Sequence, residues 1–224
     1  MLAYHLRGCG QGDKLFFDRS KAGFPESGRA CWASIGYNRE ETALQTCRNY
    51  LQIISSFGKQ KMTERFKVCV TKDHLVFCSG HFISYEGDKC ERLHGHNYRA
   101  AVEIEGELDE NHYVFDFITL KHCTKAITDE LDHRMMLATR NPYIHVEEGP
   151  CSVRVRYRER EWLFPRDDCV LLPIENTTAE LLARWIAQRL LEELQRQHKY
   201  RPAVLRVEVE ENIGQSATCE WRFT

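Results

Sequence analysis

The sequence predicts an α+β fold in which an antiparallel sheet carries helices on one face. Three observations predict it: strand patterns at both ends of the segment 66–224, amphipathic helix patterns between them, and enough apolar residues to build a core. The 224 residues are 42% hydrophobic and 29% charged, as is typical of globular proteins. This composition excludes a wholly disordered chain.

The predicted strands are short runs rich in alternating, β-branched and aromatic residues. Together with two predicted helices, these strands give the order β-β-α-(β-β)-α-β-β. The bracketed pair is a hairpin inserted between the two helices. The runs are residues 66–82, 96–108, 152–158, 161–164, 204–212 and 216–223, and a further apolar run, 169–173, follows the hairpin.

Two segments show the apolar spacing of helices. The first is predicted over 118–131, where apolar residues recur every three to four positions. The second is predicted from Thr177 to His198, where Thr177 and Glu180 match a capping box ahead of a wide apolar face.

Residues 1–61 differ from the rest of the chain and are predicted to be a separate N-terminal extension. Seven of the 13 glycines lie there, and one helix is predicted after Asn38, which with Glu41 matches a capping box. A regular pattern begins at Met62, which is a possible start of translation. We therefore predict two regions, an extension at 1–61 and a domain at 62–224.

Charge and hydropathy exclude some classes of protein. The formal net charge is -2, with 31 Lys and Arg against 33 Asp and Glu, so a dedicated nucleic-acid-binding protein is not expected. No apolar run approaches the roughly 18 residues that a membrane helix needs. The N-terminus lacks a secretory pattern and the ten cysteines form no CxxC pair, which favours the cytoplasm over a disulfide or zinc-ribbon protein.

Three histidines are candidate metal ligands. His94 and His96 are two residues apart on a predicted strand, so their rings project from one face, and a hairpin would bring His81 alongside. Three imidazoles without a fourth protein ligand suit a catalytic zinc ion with an open coordination position. The alternative is a set of ordinary surface or hydrogen-bonded histidines.

Other candidate residues lie near these histidines or at the ends of predicted elements. Cys90, in a loop near Lys89 and a metal, is predicted to have a lowered pKa, although an inert thiol is the alternative. Asp132 and His133 form a candidate proton-transfer pair, or a histidine that merely ends a helix. Glu211 would bind the amide and amino edge of a heterocycle if it is buried.

The segment from about Arg65 to the C-terminus resembles the family of 6-pyruvoyl- and 6-carboxy-tetrahydropterin synthases. The motifs that carry the resemblance are GHFI at 80–83, CERLHGHNY at 90–98, FDFITLK at 115–121, LDHRMML at 131–137, TTAELLARWI at 177–186 and VEVEEN at 207–212. Their order and spacing together are specific, and they cover about 160 residues. The first sixty residues have no counterpart in this resemblance.

The resemblance implies a role for each candidate residue. His81, His94 and His96 match the zinc ligands, while Cys90, Asp132 and His133 match the catalytic set. Glu211 matches the carboxylate that anchors the pterin ring, and Thr178 is a further pterin contact. The implied architecture is the tunnelling fold: a four-stranded antiparallel sheet with two helices on one face, in trimers that stack into hexamers with active sites between subunits.

The resemblance also implies the reaction, with 7,8-dihydroneopterin triphosphate as the substrate. The spacing Cys-x3-His-Gly-His favours a zinc-dependent 6-carboxy-tetrahydropterin synthase of the queuosine pathway, which releases acetaldehyde and triphosphate. Because Glu91 follows Cys90, the motif also reads Glu-x2-His-Gly-His, so an enzyme with a second, folate-precursor-forming activity comes next. A 6-pyruvoyl-tetrahydropterin synthase is the third candidate. The alternative outside the enzymes is a pterin-binding module.

Overall fold

A mixed sheet covered by two helices makes up most of residues 64–223, which are the residues that the computed structural model describes. The predicted extension at 1–61, its helix after Asn38 and the start at Met62 lie outside the described residues and stay predictions. Within the described range there is no helix long and apolar enough to cross a membrane.

The described residues form twelve strands and two α-helices, with short 3-10 helices at Lys72–His74 and Arg166–Asp168. The strands are β1 (Phe66–Val70), β2 (Val76–His81), β3 (Ser84–Tyr85), β4 (Lys89–Cys90), β5 (His94–Gly106), β6 (Arg134–Ala138), β7 (His145–Glu148), β8 (Ser152–Tyr157), β9 (Arg160–Pro165), β10 (Cys169–Leu172), β11 (Val204–Asn212) and β12 (Gln215–Arg222). The helices are α1 (Phe117–Asp129) and α2 (Ala179–His198).

The main sheet has the strand order β10-β6-β2-β5-β11-β12. Strands β1 and β2 are separated by a single 3-10 turn and pair antiparallel with successive parts of the long strand β5. Together with β5, β11 and β12 they form an antiparallel sheet four strands wide, and β6 and β10 extend it with parallel pairing. The predicted α+β class is confirmed, and the sheet is larger than predicted.

One face of this sheet and both helices enclose the core. Alternation along β5 buries Tyr98, Ala100, Val102 and Ile104 completely or nearly so, and β11 contributes its own alternating valines. Helix α2 adds a stripe of buried residues with the spacing of an amphipathic helix, namely Leu182, Ile186, Leu190 and Leu194. The apolar periodicities in the sequence thus correspond to the face that each element buries.

The starts of the two helices differ. Asp116 caps α1 by accepting hydrogen bonds from the backbone N–H and hydroxyl of Thr119. Helix α2 has Thr178 at its N-cap without a side-chain cap, so the predicted capping box of Thr177 and Glu180 is wrong. Thr177 is fully buried instead, and its hydroxyl lies 3.2 Å from Nδ1 of His81.

The predicted inserted hairpin is present as β8 and β9, and an unpredicted third strand, β7, completes a separate antiparallel sheet. We call strands β7–β9 the inserted sheet. One of its faces buries Val153, Val155 and Tyr157 against Phe82, which follows β2, and Met135 of β6. This second apolar cluster places the inserted sheet next to the loop that carries Cys90 and Glu91.

Candidate functional site

The three predicted ligand histidines lie together at one end of the main sheet. In the antiparallel pairing of β2 with β5, His81 is opposite His94 and Ser79 is opposite His96. The ring centroids are 4.7–5.2 Å apart, and one nitrogen from each ring lies within 4.8 Å of the others. The structure therefore brings the histidines together as their spacing predicted, on the face that continues into the core.

Gly95 is required by the close approach of the two strands. A Cβ atom at this position would lie 3.0 Å from the backbone oxygen of Ser79. A side chain between His94 and His96 would therefore push β5 away from β2, and His81 with it.

Hydrogen bonds fix the orientation of two of the three rings. Nδ1 of His81 lies 3.1 Å from the carbonyl oxygen of Thr177, and Nδ1 of His94 lies 2.8 Å from that of Arg92. Because a carbonyl oxygen only accepts, each Nδ1 carries the proton and each Nε2 presents a lone pair.

These lone pairs converge on one another. Nε2 of His81 is 3.2 Å from Nε2 of His94 and 3.2 Å from Oε1 of Glu211. Burial, with the two neighbouring histidines as a smaller cause, lowers the pKa of His81 to about 4, so this ring is neutral near pH 7. Facing acceptors repel each other unless a cation lies among them, and neutral imidazoles with a carboxylate are the donor set that Zn²⁺ takes. The residues present thus fit a zinc ion.

Glu211 lies beside the histidines rather than apart from them. Its Oε1 accepts a hydrogen bond of 3.2 Å from the hydroxyl of the buried Tyr98 and lies 3.7 Å from Nε2 of His96. From the sequence, Glu211 was predicted to bind a heterocycle. Its position beside the histidines, where its carboxylate is a possible fourth metal ligand, was not predicted.

An open cavity of about 620 Å³ borders the histidine cluster, a size typical of small-molecule sites. The predicted pterin contact Thr178 lines it together with three carboxylates, and its lining as described contains no Arg or Lys. The lining residues are His81, Ile83, Glu91, His94, His96, Thr178, Ala179, Glu180, Glu211, Gln215, Ser216 and Ala217.

Cys90 and Glu91 face different surroundings. Glu91 lines the cavity, with Oε2 4.0 Å from Nε2 of His94. Cys90 is half-buried and packs against the second apolar cluster. Burial raises the pKa of its thiol more than the nearby Arg160 lowers it, so the predicted lowering of the pKa of Cys90 is wrong for this chain.

Asp132 and His133 form a pair outside the cavity lining. Nδ1 of His133 lies 3.0 Å from Oδ2 of Asp132, whose Oδ1 accepts a 2.7 Å hydrogen bond from the backbone N–H of Cys78. The pKa of Asp132 is held below its ordinary value mainly by that hydrogen bond and to a smaller extent by the contacts with His133. The His133 side chain is 83% exposed. The described chain therefore forms the pair without joining it to Cys90 or to the histidine cluster.

Two residues of the site were not recognised in the sequence. Glu180 lines the cavity from the first turn of α2, and Thr177 holds His81 through both its carbonyl oxygen and its hydroxyl. Because their spacing matches a capping box, the sequence predicted that they begin a helix and did not predict that they belong to the site.

The fold and the histidine cluster together define an α+β protein with a candidate metal centre at the end of its sheet. The chain belongs to the 6-pyruvoyl tetrahydropterin synthase family, whose model matches residues 70–221. The family resemblance found in the sequence is thereby confirmed.

Individual relatives differ in the activity that their names state. A Pyrococcus horikoshii protein provisionally named 6-carboxy-5,6,7,8-tetrahydropterin synthase is 38% identical over 136 residues, which cover 58% of this chain and 80% of that protein. The dihydroneopterin monophosphate aldolase of Pyrococcus furiosus is 40% identical over 58 residues, which cover 26% of this chain and 48% of the aldolase.

Among solved structures, the 6-pyruvoyl tetrahydropterin synthase of Plasmodium vivax superposes with a TM-score of 0.66 at 27% identity. The superposition covers 72% of this chain and all of that one. Variants of the Plasmodium vivax enzyme have also been solved in which a glutamate, described as a catalytic residue, is replaced by alanine or cysteine.

Proposed function

We propose that this protein is a zinc-dependent 6-carboxy-tetrahydropterin synthase that converts 7,8-dihydroneopterin triphosphate and water to 6-carboxy-tetrahydropterin, acetaldehyde and triphosphate. The observation that carries the proposal is the convergence of acceptor atoms of His81, His94 and Glu211 at the edge of a cavity of ligand size. Family membership and the name of the Pyrococcus horikoshii relative support it. Zn²⁺ held by these residues would polarise the side-chain hydroxyls of the substrate.

The pterin ring needs a carboxylate that accepts two parallel N–H hydrogen bonds. Glu211 was the first candidate, but its Oε1 already faces His81 and Tyr98. Glu180 lines the same cavity beside Thr178. We therefore assign Glu180 as the carboxylate that accepts the two N–H hydrogen bonds of the pterin ring. Glu211 is then the carboxylate next to the metal ligands.

A proton must leave the substrate, and two adjacent residues are candidates for the base. Cys90 is the residue that the family resemblance assigns to the carboxy-pterin reaction. Glu91 is the one that lines the cavity, near His94. This orientation favours a second activity of the same site, the cleavage of the substrate side chain to a 6-hydroxymethyl-pterin, a folate precursor.

Asp132 and His133 are assigned to proton transfer in a site that two copies of the chain build together. The exposure of His133 and its position outside the cavity lining support this assignment. The resemblance implies trimers that stack into hexamers, with active sites between subunits. In such an assembly a second copy would also provide the basic groups that the triphosphate needs.

Product identification by mass spectrometry tests the proposal. The zinc-loaded protein is incubated with 7,8-dihydroneopterin triphosphate, and Cys90→Ala and Glu91→Gln are compared with the parent. We expect the parent to form 6-carboxy-tetrahydropterin, Cys90→Ala to lose this product, and Glu91→Gln to lose any 6-hydroxymethyl-pterin.

Two other outcomes would change the assignment. If Glu91→Gln alone loses the carboxy-pterin, Glu91 is the base for that reaction and Cys90 is not. If the parent binds zinc and pterin but releases no product, the protein is a pterin-binding module and the proposed activity fails.

A further inference from the structure

We propose that Arg160 of the inserted sheet is a positioning residue that turns Glu91 toward the substrate cavity and Cys90 away from it, and so limits the Cys90-dependent reaction in favour of the Glu91-dependent one. The inference rests on the proposed function, because it concerns which of two adjacent candidate bases acts there. It gives the inserted sheet a role in selecting the reaction.

The backbone that carries the two residues is held from both sides. On one side β3 pairs with β4, and the N–H of Glu91 donates a 3.0 Å hydrogen bond to the carbonyl oxygen of Ile83. On the other side Arg160 donates from Nη1 to the carbonyl oxygen of Cys90 at 3.2 Å and from Nη2 to that of Glu91 at 3.0 Å. One planar guanidinium thus fixes two successive peptide groups.

Fixing these peptide groups fixes the directions of both side chains. Successive side chains of an extended segment point to opposite sides. Glu91 accordingly lines the cavity, while Cys90 packs into the second apolar cluster. A rotation of this segment would exchange the two, so whatever holds the backbone decides which group meets the substrate.

Arg160 is itself held in place. Its guanidinium lies 4.6 Å from the ring centroid of Trp162, and this ring stacks on Phe82 at 4.7 Å. The inserted sheet contacts the same loop a second time, because the hydroxyl of Tyr157 donates to the carbonyl oxygen of Asp88 and Arg158 pairs with the Asp88 carboxylate. The loop from Asp88 to Glu91 is therefore attached to the inserted sheet at two points.

The test uses the full-length, zinc-loaded protein and two measurements. We expect Arg160→Gln to lower kcat for the Glu91-dependent product about tenfold or more, with little change in KM, because the base is misplaced while the cavity is intact. We also expect alkylation of Cys90 by iodoacetamide to become several-fold faster, with the exposed Cys151 as the reference in the same sample. Arg160→Lys keeps the charge but loses the paired donors, so it should restore little.

Arg154→Gln is the matched control. Arg154 is a half-exposed arginine on β8 that pairs with Glu161 across the same inserted sheet, whereas the hydrogen bonds from this sheet to residues 88–91 come from Tyr157, Arg158 and Arg160. Its loss should leave both measurements unchanged. Tyr157→Phe removes only the hydroxyl at the second attachment point and should shift both measurements in the same direction as Arg160→Gln, by less.

Unchanged Cys90 alkylation and an unchanged product ratio in folded Arg160→Gln would overturn the inference. If Arg160→Gln does not fold, unchanged values in Tyr157→Phe would overturn it. Failure of the proposed function would appear differently, as a parent protein without pterin products. The alkylation measurement would still report whether Arg160 keeps Cys90 out of the cavity.

Discussion

The histidine cluster and the Asp132–His133 pair are both sets of candidate functional residues, yet within a single chain they differ in burial and in the number of groups they contact. His81 is 1% exposed and contacts groups from β5, β11 and the segment before α2. His133 has an 83% exposed side chain, and its ring contacts the neighbouring Asp132. A single chain therefore brings the candidate metal ligands together, whereas the His133 side chain stays exposed, where it could contact a second subunit.

The backbone explains the difference. Strand pairing directs the three imidazoles onto one face, where Thr177 and Glu211 complete the arrangement. His133 has a positive φ of 56° in the turn between α1 and β6. Its N–H donates a 2.6 Å hydrogen bond to the carbonyl oxygen of Cys78, so the backbone is anchored to the sheet while the ring is left outside.

Removing two ligands should have the largest effect on the first of these regions. The His94→Ala, His96→Ala double variant leaves one imidazole and Glu211, too few donors for a stable zinc site. We expect it to lose nearly all bound zinc and all pterin products, as measured by elemental analysis and mass spectrometry. The control is His133→Ala, which should keep one zinc ion per chain. Unchanged zinc content in the double variant would show that these histidines are not ligands.

The second region can be tested by mixing variants. If a second copy provides Asp132 and His133, His133→Ala and a Cys90→Ala, Glu91→Gln double variant should each lose activity, by about 10²–10⁴-fold for a proton-transfer group. Subunits mixed after dissociation should then recover part of the parent activity, because some sites combine intact halves. Each variant treated alone in the same way is the control. Without recovery in the mixture, both groups would have to act within one chain.

The sequence was sufficient where local periodicity decides the structure. The alternation in β5 and the HxH spacing predicted the core face and the meeting of the histidines, since both depend only on strand geometry. The pattern did not reveal β6, because its parallel pairing with β2 is a long-range contact of residues that follow a helix. Likewise, which of Cys90 and Glu91 faces the cavity depends on Arg160, some seventy residues away.

A smaller effect separates two carboxylates of the cavity, Glu180 and Glu211. We expect Glu180→Gln to raise KM for the pterin substrate about tenfold with zinc retained, since one hydrogen bond to a charged group contributes about 1.5–3 kcal/mol. Glu211→Gln should instead weaken zinc binding, because its oxygen faces His81. Competition with a zinc chelator and steady-state kinetics distinguish these effects. If Glu211→Gln raises KM alone, Glu211 binds the ring as the resemblance first implied.

The smallest effect is expected from deleting residues 1–61. The described sheet and helices begin at Phe66, and the family model matches from residue 70 onward. The shortened chain should therefore keep its zinc content, its kcat/KM and its melting temperature. The matched control is a deletion through Thr71, which also removes β1 with the buried Val68 and Val70 and exposes an edge of β5. Burying each valine contributes about 1.5–3 kcal/mol, so this longer deletion should unfold at a clearly lower temperature. If the shorter deletion loses as much stability as the longer one, residues 1–61 belong to the domain and the predicted boundary at Met62 is wrong.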